Sequence, residues 1–134
     1  GLKAYISVNK ALVTQSSVAI PIVPLYISLL YKIMKKEGLH EGCIEQMNRL
    51  FIDKLPAKET DAEGYIRLDD WEMEDKVQNE ITKLWDLVTT ENIGELGDIE
   101  GYWEDFYRMF GFNEEGIDYE AETDPVVEIP SIKE

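Results

Sequence analysis

The spacing of apolar positions changes along this chain, and each change marks an element. Residues 3–8, KAYISV, are β-branched and aromatic-rich, which predicts one N-terminal strand. No other stretch alternates over five residues. A lone strand leaves its backbone polar groups unpaired, so the rest of its sheet is expected upstream of this sequence. Residues 18–31 then run fourteen positions without a charge and include Pro21 and Pro24. Pro24 suits a first helical turn, so residues 25–36 predict a helix that is apolar on nearly every side. Lys32, Lys35 and Lys36 stand where the helix dipole favours cations, and Gly38 supplies a stop. Fourteen residues fall short of the roughly 20 that cross a bilayer, so this is read as a buried helix and not a membrane span.

Ile44, Met47, Leu50, Phe51 and Leu55 keep helical spacing and predict an amphipathic helix over 42–54. Residues 56–64, PAKETDAEG, are the clearest loop. Asp69 followed by Glu72 has the form of a capping box with an acid as cap. Val77, Ile81, Leu84, Trp85 and Val88 then share one face of a helix predicted over 72–88. Asp98 can cap another helix, on which Ile99, Tyr102, Trp103, Phe106 and Phe110 form an aromatic stripe read as core, closed by Gly111. Residues 117–134 carry two prolines and read as an extended arm over the body.

Charge divides these elements into two groups. The chain has 134 residues with a net charge of −15, and is 44% hydrophobic and 31% charged, a globular composition of one domain's length. Residues 1–54 hold seven Lys/Arg against four Asp/Glu, leaving six against twenty-four in the remainder. The second half would repel nucleic acid or an anionic membrane, so an anionic ligand is expected at the first half. The start, GLKAYISV, has no initiator Met and reads as a segment of something longer. With one cysteine, Cys43, and no signal peptide, a reducing cytoplasmic setting is the simplest expectation.

Little here has the residue types for independent chemistry. His40 and Cys43 stand three apart, but no second His or Cys completes a zinc site, and a turn-forming His and a buried Cys are the plainer reading. Asp118, Glu120, Glu122 and Asp124 have the odd-position spacing of early calcium ligands. Thr123 and Ile129 stand where such a loop needs Gly and Glu, so solvated acids are expected instead. No glycine-rich dinucleotide motif or P-loop occurs. The stretch LVTQSSVAIP remains. Residues leaving a strand of a doubly wound sheet line its ligand crevice, and Thr14, Ser16 and Ser17 offer hydroxyls there. The alternative, that they cap the next helix, stays open.

The stretch SVNKALVTQSSVAIPIVPLYISLLYKIMKKEGLHEGCIEQ resembles the C-terminal third of the NADH-dependent trans-2-enoyl-CoA reductases, including the FabV-type enoyl-ACP reductases. RLDDWEM, LWDLVTTENI and GFNEEGIDYEAETDP resemble later segments of the same family. The resemblance implies a short-chain-dehydrogenase-like Rossmann domain that uses NADH to reduce the 2,3 double bond of enoyl thioesters in bacterial fatty-acid biosynthesis. It implies no catalytic residue in this chain, since the family's Tyr/Lys pair and glycine-rich loop lie upstream of this sequence. By position, Leu12, Val13 and Thr14 resemble the strand end that contacts the nicotinamide half of NAD. Val23 and Tyr31 resemble positions that shape the acyl pocket, with Tyr31 where the family often has Phe.

The expected fold is therefore mainly α with one N-terminal strand, as the C-terminal part of an α/β Rossmann-like oxidoreductase. Residues 1–55 would end the catalytic domain, and 56–134 would form an acidic helical region that the family names FAD-binding. Nothing in the residues supports FAD: no glycine-rich turn is present, and the charge would repel a pyrophosphate. The expected partners are an enoyl-CoA or enoyl-ACP substrate and the upstream Rossmann portion. The competing reading is a non-catalytic acidic helical module that binds a protein through its aromatic stripe.

Overall fold

The computed structural model describes residues 1–122. Strand β1, Ile6–Val8, pairs in parallel with β2, Tyr65–Arg67, in the register Ile6 to Tyr65 and Val8 to Arg67. This corrects the expectation of a single strand without a partner in the chain. Three residues are too few to display alternation, and β2 is set instead by the turn before it. The Asp61 side chain accepts from the Glu63 and Tyr65 N–H groups, and Gly64 takes the positive φ of 85° that brings the chain into the strand. The Val8 carbonyl then accepts from Leu68 N–H at 2.8 Å and prolongs the ladder.

Helix α1, Ile22–Glu37, forms the crossover and the centre of the molecule. It starts one turn earlier than the proline spacing predicts, because Pro24 still lies in the first turn, where a missing N–H costs nothing. Gly38 ends it in the left-handed conformation, as predicted, with its N–H and that of Leu39 directed at the last carbonyls. Its apolar circumference serves two faces. Leu29, Leu30, Ile33 and Met34 pack on Val77 and Ile81 of α4, Asp75–Leu87. Ile27 and Tyr31 pack on Val13 and on Tyr102 of α6, Ile99–Arg108.

Helix α2, Cys43–Arg49, widens into a π-helical segment over Leu50–Lys54 before the short α3, Leu55–Ala57. The wider turn shifts the helical phase. Leu50 is buried with Ile66 and Leu68, but Ile44 and Phe51 are 63% and 65% exposed, contrary to their predicted place on the buried face. The capping box is also corrected. Asp69 pairs with Arg67, Glu72 turns inward, and α4 begins after Glu74.

Asp98 caps α6 as predicted, accepting the Gly101 N–H at 3.0 Å, after the short α5, Ile93–Leu96. The aromatic stripe is buried at Tyr102 and half-buried against the same cluster at Phe106. Ile99, Trp103 and Phe110 are exposed, and the rings stack along the helix, Trp103 on Phe106 at 5.5 Å and Phe106 on Phe110 at 5.3 Å. Five such positions span a wider arc than α1 covers. Residues 117–122 turn back and do not extend: the Tyr119 hydroxyl accepts the Glu114 N–H and donates to the Gly111 carbonyl. The rest of the predicted arm, with Asp124, lies outside the described residues.

Candidate functional site

The segment leaving the C-terminal end of β1 is held from three sides. Lys10 is 1% exposed; its N–H donates to Gln46 Oε1 at 3.2 Å and its ammonium to the Glu41 carbonyl at 2.6 Å. Burial pushes the Lys10 ammonium below the ordinary lysine value. The Ala11 N–H donates to Glu72 Oε2 at 2.7 Å, and Tyr26 donates to the other oxygen of the same carboxylate at 2.7 Å. Val13 is buried, while Leu12 is half-buried and Thr14 exposed.

Thr14 sits at a tight turn closed by Ser17. The Thr14 N–H donates to Ser17 Oγ at 3.2 Å, and the Ser17 hydroxyl donates back to the Thr14 carbonyl at 2.7 Å. Ser17 Oγ also lies 2.7 Å from the Tyr102 hydroxyl. With the Ser17 proton directed at Thr14, Tyr102 is the donor. Of the three hydroxyls read as crevice-lining, only Thr14 and Ser16 face outward. Ser17 is buried, and this corrects its place on the crevice wall.

One turn of α6 further on, Asp105 Oδ2 accepts from the Tyr31 hydroxyl at 2.7 Å. Tyr31 is fully buried, and burial first and Asp105 second push its phenol far above the usual tyrosine value. It therefore stays neutral and acts as a donor. The His40 ring meets the Tyr31 ring edge-on at 4.4 Å, with Nε2 3.9 Å from Asp105 and Nδ1 without a hydrogen-bond partner among the described residues. A pocket of about 320 Å³ opens beside this cluster, lined by Val13, Cys43, Ile44, Asp105, Arg108 and Met109 among others.

Burial, with nearby Lys10, holds His40 below the ordinary imidazole value. The unfolded chain then binds a proton that the native state refuses. His40 is expected to reduce stability as pH falls through about 6.5. Denaturant titrations at pH 7.5 and 5.5 should show a smaller loss in His40→Gln than in the unsubstituted protein, and an equal loss would contradict the assignment.

Of the sequence-derived candidates, Val13, Val23 and Tyr31 meet in one apolar cluster with Ile27 and Tyr102, while Leu12, half-buried, and Thr14, exposed, flank Val13 in the chain. Ser17, Tyr102, Asp105, Glu72 and Lys10 are the residues that hold this arrangement, and their partners stand up to 85 positions away in sequence. No pairing of nucleophile and base occurs here, and no group of three metal-ligating side chains forms among the described residues. The arrangement can shape a wall and present the exposed hydroxyls of Thr14 and Ser16.

Comparison with known proteins identifies the class to which such a wall belongs. Residues 1–56 match the trans-2-enoyl-CoA reductase catalytic region, and residues 60–123 match the enoyl reductase FAD binding domain. The chain belongs to the enoyl reductase family, as its C-terminal part. It is 58% identical over 135 residues to an enoyl-[acyl-carrier-protein] reductase [NADH] of Flavobacterium psychrophilum, a match covering 98% of this chain and 34% of the relative. It is 60% identical over 133 residues to the corresponding Coxiella burnetii enzyme, covering 97% and 33%. Among solved structures, Clostridium acetobutulicum trans-2-enoyl-CoA reductase in complex with NADH superposes with a TM-score of 0.80 at 43% identity, covering 91% of this chain and 31% of that one. The Treponema denticola enzyme in complex with NAD gives 0.81 at 47%, covering 94% and 33%. The chain thus spans about a third of the length of the relatives it matches.

The name of the second match raises flavin, which the described residues do not fit. Within 60–122, all four cations, Arg67, Lys76, Lys83 and Arg108, are already paired with carboxylates. Twenty Asp/Glu surround them. A pyrophosphate would meet repulsion and no free cation among these residues. At the β1 exit, the turn bonds of Thr14 use its backbone and leave its side-chain hydroxyl out of them, on an exposed residue.

Proposed function

We propose that this chain supplies the pocket-completing C-terminal portion of an NADH-dependent oxidoreductase that reduces the 2,3 double bond of enoyl-CoA or enoyl-ACP thioesters in fatty-acid biosynthesis. The activities of the relatives support this reading over a non-catalytic interaction module. The observation that carries it is the parallel pair β1/β2, with the segment through Leu12, Val13 and Thr14 emerging from the C-terminal end of β1. In open α/β sheets that end borders the ligand crevice, so β1 and β2 are read as the closing strands of a Rossmann-like sheet continued by the upstream part of the enzyme.

NADH, when bound, supplies the hydride. Thr14 presents its hydroxyl toward the nicotinamide half, with Leu12 and Val13 as the apolar floor below. Val23 closes the acyl side. Tyr31 backs that side through the core, its neutral hydroxyl fixed on Asp105 and its ring under Lys10. These residues bind, orient and exclude water, while proton transfer is assigned to the Tyr/Lys pair of the upstream portion. A cytoplasmic location accompanies this reading.

The test is NADH oxidation with crotonyl-CoA, measured with this chain alone and with the chain joined to an upstream catalytic region of the family. Turnover only in the joined form is expected. No turnover in either, with both folded, would overturn the proposal.

A further inference from the structure

We propose that Tyr102 is a positioning residue for NADH, acting through Ser17 on the backbone of Thr14; this rests on the reductase reading above. Tyr102 belongs to the segment that matches the FAD binding domain, whereas Thr14 and Ser17 belong to the segment that matches the catalytic region. The structure joins the two at one hydrogen-bonded triad. Ser17 Oγ receives the Thr14 N–H at 3.2 Å, gives its own proton to the Thr14 carbonyl at 2.7 Å, and lies 2.7 Å from the Tyr102 hydroxyl. Ser17 and Tyr102 are 5% and 2% exposed, so water does not compete for these groups. The Tyr102 ring packs with Val13, the residue before the turn. One side chain of α6 thus fixes both the apolar floor at Val13 and the dihedral angles at Thr14.

Helix α6 has separate attachments for stability. Asp98 caps it and bonds Lys35 at 2.6 Å, and the Asp98 N–H donates to the Ser28 carbonyl at 2.8 Å. None of these touches the Thr14 turn. The Tyr102 hydroxyl is therefore not needed to dock the helix, and its position against Ser17 is explained by what Ser17 holds. In this assignment the acidic helical region contributes to nucleotide affinity without binding a flavin, by setting the geometry of a turn on the catalytic side.

The experiment uses the full-length reductase carrying these residues, with Tyr102→Phe, Ser17→Ala, the double variant and Asp98→Ala as the structural comparison. The readouts are the NADH dissociation constant from fluorescence quenching, steady-state parameters and the thermal midpoint. Loss of one buried neutral hydrogen bond predicts that Tyr102→Phe and Ser17→Ala each weaken NADH binding by about three- to tenfold. KM for NADH should rise in parallel, with KM for crotonyl-CoA within about twofold of the unsubstituted enzyme, because the hydroxyl pair faces the Thr14 turn alone. The double variant should be no weaker than the worse single one, since both break the same link. Asp98→Ala should lower the thermal midpoint and leave NADH affinity unchanged. Unchanged NADH affinity in both Tyr102→Phe and Ser17→Ala, or an equal loss in Asp98→Ala, would overturn the assignment. If Tyr102→Phe does not fold, Ser17→Ala decides the matter alone. Failure of the unsubstituted enzyme to bind NADH would instead overturn the reductase reading, and this assignment with it.

Discussion

Arg49→Met is expected to destabilise the protein by about 3–5 kcal/mol, the cost of leaving a buried charge without its partner. Arg49 donates from Nε and Nη2 to the two oxygens of Glu41, at 2.8 and 2.9 Å, and from Nη2 to the Leu68 carbonyl at 2.8 Å. Nη1 reaches Asp70 at 2.9 Å, and the guanidinium lies 4.0 Å over the Trp71 ring. Glu41 is buried, so without Arg49 its carboxylate loses the guanidinium that donates to both of its oxygens, with little water to replace it. Removing both charges together is a different matter. Arg49→Met combined with Glu41→Leu should recover most of the loss, because a well-packed apolar pair can replace a buried ion pair at little net cost. Urea unfolding of the single and double variants checks this, and a double variant as unstable as the single one would refute it.

The same site carries a pH signature. Burial opposes ionisation of Asp70, but Lys54 and Arg49 outweigh it and hold its carboxyl below the usual carboxylate range. A depressed native value means that the stabilisation is whole above about pH 4 and is lost as pH falls through the native value. Arg49→Met raises that native value toward the unfolded one. Its stability should therefore fall less steeply below pH 4 than that of the unsubstituted protein.

What the sequence made legible follows from how far each determinant reaches. Gly38 and Asp98 were readable as helix boundaries because a stop or a cap acts within a few residues. The apolar circumference of α1 was readable for the same reason, since two packing faces leave no polar side. Strand β2 was not, because three residues carry no period and its place depends on β1, almost sixty positions earlier. Asp69 and Glu72 have the spacing of a cap, but Arg67 and the Ala11 N–H offer those carboxylates better donors than a helix terminus does. Past the end of α2 the periodicity fails at Phe51, where a π-helical segment changes the residues per turn, whereas Ile44 is exposed already in the regular first turn of α2. At the site, the hydroxyl cluster after β1 was visible as composition. Which hydroxyl turns inward was decided by Tyr102, far away in the chain.

Glu72 shows how such a long-range contact governs the site, and its removal carries the second large effect. Its carboxylate accepts from the Ala11 N–H and the Tyr26 hydroxyl, both at 2.7 Å, joining the β1 exit to α1. Glu72→Ala strips the partner from both donors, and hydrogen bonds to a charged group weigh more than neutral ones, so a loss of about 2–4 kcal/mol is expected. Glu72→Gln, which keeps one acceptor and offers a donor to the other site, should fall between. Glu74→Ala is the comparison, since that exposed carboxylate holds only Lys76 and should change stability by less than about 1 kcal/mol. Ala11 stands three residues before Thr14, so the loss should also be local. Amide exchange at residues 11–14 should accelerate in Glu72→Ala more than exchange at Leu29 and Leu30 in the core of α1. A uniform acceleration, or a stability change no larger than that of Glu74→Ala, would show that Glu72 does not anchor the segment presenting Thr14.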